Sequence, residues 1–181
     1  MDDHRTDQSV RSLTLHALSV ADGILALCPL PGSGGDYRGD MDHLHDWQPG
    51  LVISMTTEVE HVGAGAAPLG QDFQAMGSRW IHLPLPDFSA PTKAMLAQWP
   101  EVSALALQAL RGGGRVLVHC KGGCGRSGMV VLRLMIEAGE YPDKALRRLR
   151  AVRACAVETE EQMTWALAAA KRAGTRKARN K

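Results

Sequence analysis

The stretch "VLVHCKGGCGRSGMVV" at residues 116–131 carries the strongest structural signal in the sequence. An apolar run typical of a buried strand over 115–120 leads to Cys120, and a loop with four glycines in seven residues follows. Glycine offers no side-chain contacts and raises the entropic cost of folding, so this loop does not fill a core. Apolar residues after it predict a buried helix over 127–138. We therefore expect a strand, a tight loop and a helix N-terminus, with some group close to the loop backbone.

An anion is the ligand that best fits such a loop. Glycines let successive backbone N–H groups converge, and the N-terminus of the next helix adds positive potential. Arg126 lies six residues after Cys120, and its planar guanidinium can bind two phosphate oxygens at once. The same positive field favours the thiolate form of Cys120, a nucleophile toward a bound phosphoryl group. The predicted ligand is a phosphate monoester, held by Lys121, Gly122, Gly123, Cys124, Gly125 and Arg126.

The motif "HCKGGCGRSG" at residues 119–128 resembles the HC-x5-R-[ST] signature of the cysteine-based protein tyrosine phosphatase superfamily. Upstream, "LPLPDFSAPT" (83–92) is similar to the mobile acid loop of that superfamily, in which an aspartate begins a D-x-x-x-P pattern. "LALCPLPG" (25–32), and "ALRRLRAV" and "AVETEEQ" within 145–162, resemble the kinase-associated phosphatase branch of its dual-specificity group. The resemblance covers most of residues 24–165 and implies a phosphatase fold and phosphatase chemistry.

The resemblance also implies a role for each residue of the motif. Cys120 would attack phosphorus and carry a phosphocysteine intermediate, while Arg126 and the loop amides stabilise the charge on the phosphoryl oxygens. Asp87 would protonate the leaving oxygen and then activate water. The supporting residues would be Ser127 for the departing thiolate, His119 for the cysteine backbone, and Gln162 or Glu158 for the hydrolytic water. No cofactor or metal is required.

Several substrates fit this pattern. A chain of 181 residues is small for the superfamily, and the resemblance implies a shallow pocket for phosphotyrosine that would also admit phosphoserine and phosphothreonine in proteins. Lys121 occupies a position at which phosphoinositide phosphatases of the superfamily also carry lysine, so lipid or inositol phosphates are an alternative. A catalytically silent phosphate-binding module is a third reading.

Short apolar segments alternate with helical patterns along the chain. Strands are predicted at 24–28, 51–55, 80–85 and 115–120. Helices are predicted at 40–47, at 92–110 with Thr92 as N-cap, at 127–138, at 141–152, and at 159–173 with Thr159 as N-cap. This alternation predicts a single-domain α/β sandwich with a central, mainly parallel sheet of about four to five strands flanked by helices. The phosphatase domain is expected over 12–170, between a polar tail (1–11) and a basic tail (171–181).

Charge and hydropathy narrow the classes of partner. The total net charge is +2, and the last eleven residues hold six Lys or Arg, which leaves −4 for residues 1–170. We interpret the basic tail as a solubilising terminus, and the low aromatic content (4%) offers no stacking platform for nucleic acid. No apolar run is long enough to cross a bilayer, and the N-terminus is polar, so neither a membrane span nor a secretory signal is expected. We expect a cytoplasmic monomer. The resemblance implies that its partners are phosphoproteins.

Cysteines and histidines outside the motif carry weaker signals. The four cysteines have no framework spacing, so reduced thiols are expected, with Cys28 and Cys155 buried. Cys120 and Cys124 form a C-x3-C pair that is either a redox couple or a nucleophile beside a small loop-filling side chain. In "DMDHLHDW" (40–47), His43 and His45 point to different sides of a helix, which predicts a solvated face and no metal site.

Overall fold

Five short strands form the central sheet of the structure, a computed structural model that describes residues 12–170. They are β1 (His16–Val20), β2 (Gly23–Cys28), β3 (Leu51–Ser54), β4 (Arg79–His82) and β5 (Arg115–His119). Their order across the sheet is β1-β2-β5-β3-β4. β1 pairs antiparallel with β2, and every other neighbouring pair is parallel. The predicted sandwich with a mainly parallel sheet is confirmed.

Helices cover both faces of this sheet. Those of residues 12–170 are α1 (Tyr37–Trp47), α2 (Glu58–Gly63), α3 (Leu69–Ala75), α4 (Lys93–Arg111), α5 (Gly125–Glu137), α6 (Pro142–Val152) and α7 (Glu160–Leu167). Alternate side chains of the central strands separate the core into two layers. Leu117 packs with the apolar side chains of α1 and α3, whereas Val116 and Val118 pack with those of α4, α5 and α6. The sheet is therefore buried on both faces.

The predicted strands and long helices are present with shifted ends, but three further elements were not predicted. β1 was missed because "HALSV" contains only two core residues, Leu18 and Val20, at alternating positions. α2 and α3 have six and seven residues, too short for a clear helical period. Helix α7 covers Glu160–Leu167, residues 169–170 are again helical, and the predicted end of the last helix at 171–173 lies outside the described residues. The predicted tails, 1–11 and 171–181, lie outside the described residues.

The predicted solvated face of α1 holds for His43 and His45, which are exposed, but not for Asp40. The Asp40 side chain is buried and accepts hydrogen bonds from the backbone N–H groups of Leu13 (3.1 Å) and Gly32 (2.8 Å). A buried carboxylate needs such donors. Asp40 therefore ties the turn after β2 and the segment before β1 to α1.

The expectation of four reduced thiols is wrong. Cys124 and Cys155 form a disulfide, with Cα atoms 5.2 Å apart, and Cys155 is exposed, not buried. The predicted burial of Cys28 is confirmed, and burial, together with the neighbouring Cys120, raises the pKa of the Cys28 thiol. Cys120 is a free thiol and is not joined to Cys124. The spacing failed to predict the disulfide because its partners lie 31 residues apart and meet only through tertiary packing.

The carboxyl ends of the parallel strands lie at one edge of the sheet, where the segments after β2, β3, β4 and β5 meet. Open parallel sheets bind ligands at this edge. Leu83 and Leu85 continue from β4 and donate to the carbonyls of Ser54 and Met55 at the end of β3, which carries the predicted acid loop toward Cys120. Among residues 12–170 no helix is long and apolar enough to span a membrane.

Candidate active site

Cys120 lies directly after β5, at the point where the strand passes into the glycine loop. Its side chain is 2% exposed, and its Sγ atom lies 3.1 Å from the Oγ of Ser127 in the first turn of α5. The predicted pair is therefore brought together. A hydroxyl in this position can donate a hydrogen bond to sulfur and stabilise a thiolate.

The loop that follows Cys120 presents a row of free backbone donors. Among the hydrogen bonds of residues 12–170, none has a donor amide from Lys121 through Arg126. The loop carbonyls are engaged instead: that of Lys121 accepts from Leu30 N, and that of Cys124 from Gly128 N and Val157 N. Amides without protein partners, ahead of a helix N-terminus, form an anion-binding cradle.

Most of the loop glycines are needed for close packing against the protein itself. Gly123 has φ +68° and lies against the backbone of Cys28 and Pro29, 2.6–2.7 Å from where a Cβ would be. Gly125 and Gly128 have no space for a Cβ because of Glu158 and Val157, respectively. Only Gly122 faces open space within this loop. One face of the loop backbone therefore packs against the protein itself. The opposite face, which carries the amide N–H groups, is left accessible to a ligand.

Arg126 closes the cradle with a guanidinium that is almost fully buried (1% exposed). Its two terminal nitrogens, Nη1 and Nη2, donate to the carboxylate of Glu60 at 2.9 and 2.7 Å, and Nη1 also donates to the Leu85 carbonyl at 2.7 Å. Nη2 lies 3.2 Å from Oδ1 of Asp87. Nε has no partner among the described residues. A buried Nε–H without a partner beside free amides is the donor set that a phosphoryl group would complete.

Glu60, which holds Arg126, was missed by the sequence analysis. It is the third residue of α2 and forms a capping box with Thr57, whose side chain accepts from Glu60 N. Although partial burial of Glu60 opposes ionisation, hydrogen bonds from Arg126 and the Thr57 backbone lower its pKa to about 2. The "TEVE" capping box at 57–60 was the available signal, but it indicates a helix start and not an arginine partner.

Asp87, in the predicted acid loop, also lies next to Arg126. Leu85 is buried and leads into Asp87, which is exposed and accepts a hydrogen bond from Phe88 N at 3.0 Å. Phe88 has φ +59°, a strained conformation for a bulky residue. The carboxylate of Asp87 contacts Arg126, so the structure places this residue next to the cradle.

Gln162 and Glu158 flank the cradle at the N-terminus of α7. Gln162 is buried; its Oε1 accepts from the backbone N–H groups of Glu158 and Thr159, and its Nε2 donates to the Ser89 carbonyl at 3.3 Å. Thr159 caps this helix, as predicted. Gln162 thus links α7 to the acid loop, and Glu158 lies against Gly125.

His119 is fully buried behind the cradle and is held by side chains of the neighbouring strands. Its Nε2 is hydrogen-bonded to the Oγ of Ser54, which also accepts from Nε1 of Trp80 at 2.8 Å. Burial and the nearby His61 lower the pKa of His119 to about 3. The histidine is therefore neutral at physiological pH, and it is the last residue of β5, directly before Cys120.

Two further basic residues flank the loop. Lys121 is exposed and lines a groove of about 640 Å³. Arg153, which the sequence analysis did not single out, follows α6 and donates from Nη2 to the Gly122 carbonyl (2.8 Å) and from Nε to the Gly123 carbonyl (3.1 Å). Within residues 12–170 no cluster of His, Cys, Asp or Glu is arranged to hold a metal ion.

The low pKa of His119 predicts a loss of stability in mild acid. The unfolded chain takes up a proton as the pH falls below about 6.5, whereas the native state does so only near pH 3, so stability falls with pH throughout that window. Each such histidine contributes at most about 1.4 kcal/mol per pH unit. Between pH 6.5 and 5.0, the free energy of unfolding measured in urea should decrease less steeply for His119→Gln than for the wild type. An unchanged slope would show that His119 is protonated in the native state.

Comparison with solved structures shows that proteins of known structure share this fold. The solved structure of kinase-associated phosphatase, with its catalytic cysteine replaced by serine, is 23% identical, with a TM-score of 0.76 over 86% of this chain and 93% of its own. Tk-PTP in its active form is 30% identical, with a TM-score of 0.67 over 87% and 97%. PTPMT1 in complex with PI(5)P is 21% identical, with a TM-score of 0.69 over 88% and 97%. None of the curated proteins compared matches the sequence.

A family model also matches the chain directly. The model is Tc-R-P, described as a polymorphic toxin system DSP-PTPase phosphatase, and it matches residues 40–140. This segment includes Glu60, Asp87, Cys120 and Arg126, the residues that meet at the cradle. Since the match spans more than half of the 181 residues, the chain belongs to this DSP-PTPase phosphatase family, within the dual-specificity group of cysteine-based phosphatases.

Proposed function

We propose that the chain is a protein phosphatase that hydrolyses phosphotyrosine, and phosphoserine or phosphothreonine that reaches the cradle, through a phosphocysteine on Cys120. One observation carries the proposal: three reacting groups surround a single cradle. The Cys120 thiol lies at its base, the unpartnered Nε of Arg126 closes it, and the Asp87 carboxylate contacts Nη2 of that arginine. A phosphoryl group bound there has a nucleophile on one side and an acid on the other.

In the first step, the Cys120 thiolate attacks phosphorus. A sulfur–phosphorus bond forms as the ester bond breaks, and Asp87 gives its proton to the leaving oxygen. The loop amides and Arg126 Nε hold the phosphoryl oxygens while charge redistributes among them.

In the second step, water replaces cysteine on phosphorus. Asp87, now ionised, takes a proton from the attacking water, the sulfur–phosphorus bond breaks, and the thiolate accepts a hydrogen bond from Ser127, 3.1 Å away. Gln162 fixes the acid loop through the Ser89 carbonyl. The second N–H of Gln162 Nε2 can donate to the attacking water while the first holds that carbonyl; Glu158, the other candidate, lies at the rim beside Gly125.

The groove beside the loop supports a protein substrate. It is lined by Leu30, Val59, Ala64 and several glycines, with Lys121 at the catalytic loop. Val59 is 82% exposed. Glu60 also lines the groove. A largely apolar groove with one cation and one carboxylate suits the side chains that flank a phosphorylated residue in a peptide.

A second candidate function is hydrolysis of phosphoinositides. The observation that favours it is the exposed Lys121, whose ammonium can pair with a second phosphate of an inositol headgroup. PTPMT1, whose structure is similar, has been solved in complex with PI(5)P. A kcat/KM on phosphoinositide micelles that exceeds the value on phosphotyrosine peptides, and that falls in Lys121→Ala, would replace the protein substrate with the lipid.

Cys120→Ser tests the nucleophile. A serine hydroxyl is too weak an acid to attack without a general base, so we expect no turnover of p-nitrophenyl phosphate beyond a trace. The folded variant should still bind tungstate, because the amides and Arg126 are unchanged. Calorimetric titration with tungstate separates lost chemistry from lost binding. Substantial turnover by the purified variant would assign the nucleophile to another residue.

Asp87→Ala tests the general acid through the leaving group. The tyrosine phenolate needs a proton to depart, whereas p-nitrophenolate departs without one. We therefore expect kcat to fall about 10²–10⁴-fold on a phosphotyrosine peptide and much less on p-nitrophenyl phosphate. The two substrates serve as controls for each other on one enzyme preparation. Equal losses on both would mean that Asp87 positions the loop and that the acid is elsewhere.

Glu60→Gln tests the carboxylate that holds Arg126. The glutamine has one acceptor oxygen in place of two and no charge, so the buried guanidinium loses its ion pair and its fixed orientation. We expect kcat/KM on phosphotyrosine peptide to fall about 10- to 100-fold. The control is Glu58→Gln, which removes the same charge from an exposed position in the same helical turn. Similar, small effects of both variants would show that Arg126 orients itself without Glu60.

A further inference from the structure

We propose that Arg153 and the Cys124–Cys155 disulfide together position the catalytic loop for oxyanion binding, and that reduction of this disulfide lowers the affinity of the loop for phosphate. The proposal rests on the proposed function, since it concerns the same loop. Arg153 and Cys155 lie in the segment 153–157 between α6 and α7. Neither residue faces the predicted substrate groove, so their effect is exerted through the loop backbone.

Arg153 fixes the orientation of two peptide groups in the loop. Its Nη2 binds the carbonyl of Gly122 at 2.8 Å and its Nε binds that of Gly123 at 3.1 Å. All described peptides are trans, so each carbonyl points opposite to the N–H of the next residue. When Arg153 holds these carbonyls on its own side, the N–H groups of Gly123 and Cys124 are directed away from it, into the cradle.

The glycines at positions 122 and 123 make these hydrogen bonds from Arg153 necessary. A peptide between two glycines has no Cβ to restrict its rotation, and the Gly122–Gly123 peptide is of this kind. Among the described residues, no atom lies within 4 Å of the position that a Cβ of Gly122 would occupy, so no packing on that side limits rotation of the peptide. A peptide that turned over would present a carbonyl oxygen to a bound phosphate and repel it. The Arg153 guanidinium is the described group that opposes this rotation.

The disulfide joins the same segment covalently to the loop. Cys155 is two residues after Arg153 and bonds Cys124, while the backbone N–H of Val157 donates to the Cys124 carbonyl at 3.2 Å. The far side of the segment is held by Arg150, which donates to the Ala156 and Val157 carbonyls. The closed disulfide limits how far the backbone of Arg153 can move from the carbonyls that this residue orients. With the disulfide open, the hydrogen bonds and the buried Ala156 and Val157 restrain the segment.

The disulfide is open to chemical reduction. Cys155 is exposed, whereas Cys120 and Cys28 are buried. The thiolate of a dithiol attacks Cys155 Sγ, the bond to Cys124 breaks, and the second thiol of the reductant closes on the first. Two electrons and two protons pass to the protein, which gains two thiols, and the dithiol becomes a disulfide. The departing Cys124 thiolate lies at the N-terminus of α5, with Arg153 Nη2 at 3.4 Å, and both favour negative charge.

The test measures tungstate binding and p-nitrophenyl phosphate hydrolysis on the full chain, before and after treatment with tris(2-carboxyethyl)phosphine, which also keeps Cys120 reduced. Mass spectrometry identifies the disulfide in each sample. The variants are Arg153→Ala, Arg153→Lys and Cys155→Ser, which leaves the catalytic loop residues intact. The control is Arg147→Ala, an exposed arginine of α6 that donates no hydrogen bond within the described residues.

We expect Arg153→Ala to weaken tungstate binding and lower kcat/KM about 10- to 100-fold, with Arg153→Lys intermediate because lysine reaches one carbonyl. Reduced wild type and Cys155→Ser should match each other, and the phosphine should leave Cys155→Ser unchanged. Tungstate affinity is measured well below the melting temperature of each variant, so a role confined to stability would lower the melting temperature and leave affinity intact.

Three results would overturn the inference. Wild-type affinity for tungstate in Arg153→Ala would remove the role of the guanidinium. Equal affinity before and after reduction, or a Cys124–Cys155 bond that is missing from the oxidised protein, would remove the role of the disulfide. A wild type that binds tungstate but hydrolyses no phosphoester would contradict the proposed function alone, since tungstate binding still reports on the loop.

Discussion

The buried ion pair between Arg126 and Glu60 is the constraint on which the rest of the site depends. A guanidinium that is 1% exposed is tolerated only where charge and hydrogen bonds replace water. Glu60 supplies the charge and the Leu85 carbonyl supplies a further acceptor. Both acceptors lie on segments that leave the carboxyl edge of the sheet, one after β3 and one after β4. The position of one side chain therefore fixes α2, the acid loop and α5 relative to one another.

This arrangement leaves part of the Arg126 guanidinium available to a phosphate ligand while the hydrogen bonds to Glu60 and Leu85 are kept. Glu60 engages Nη1 and Nη2 from one side, and Nε has no hydrogen-bond partner within residues 12–170. The remaining Nη2 contact goes to the exposed Asp87, which lies on a loop with a strained Phe88. In the proposed function, a phosphoryl group bound through Nε and one hydrogen of Nη2 would displace only the contact with Asp87. On that proposal, binding of substrate and release of the Asp87 carboxylate are linked at one nitrogen.

The sequence predicted those parts of the site that are close together along the chain. Cys120, the four glycines, Arg126 and Ser127 fall within nine residues, so their spacing alone indicated an anion loop, and the D-x-x-x-P segment added Asp87 by resemblance. Glu60 and Arg153 could not be found in this way, because each meets the loop through long-range packing. Their local patterns indicate only a capping box and a basic helix end. β1 was missed for the related reason that two core residues in five give no clear strand pattern.

A loop that presents its amide N–H groups to an anion must also direct its carbonyl oxygens away from that anion. In this protein, residues from other parts of the fold bind those carbonyl oxygens. The carbonyl of Lys121 accepts from Leu30, after β2. Those of Gly122 and Gly123 accept from Arg153, after α6, and that of Cys124 accepts from Val157, before α7. Each carbonyl held on the outer side turns the next amide inward. Its glycines make the loop compact, but they leave its backbone too free to hold this arrangement alone. Its geometry is therefore set by elements up to about ninety residues away along the chain. Such separations are usual in a domain whose parallel strands are joined by long crossover connections.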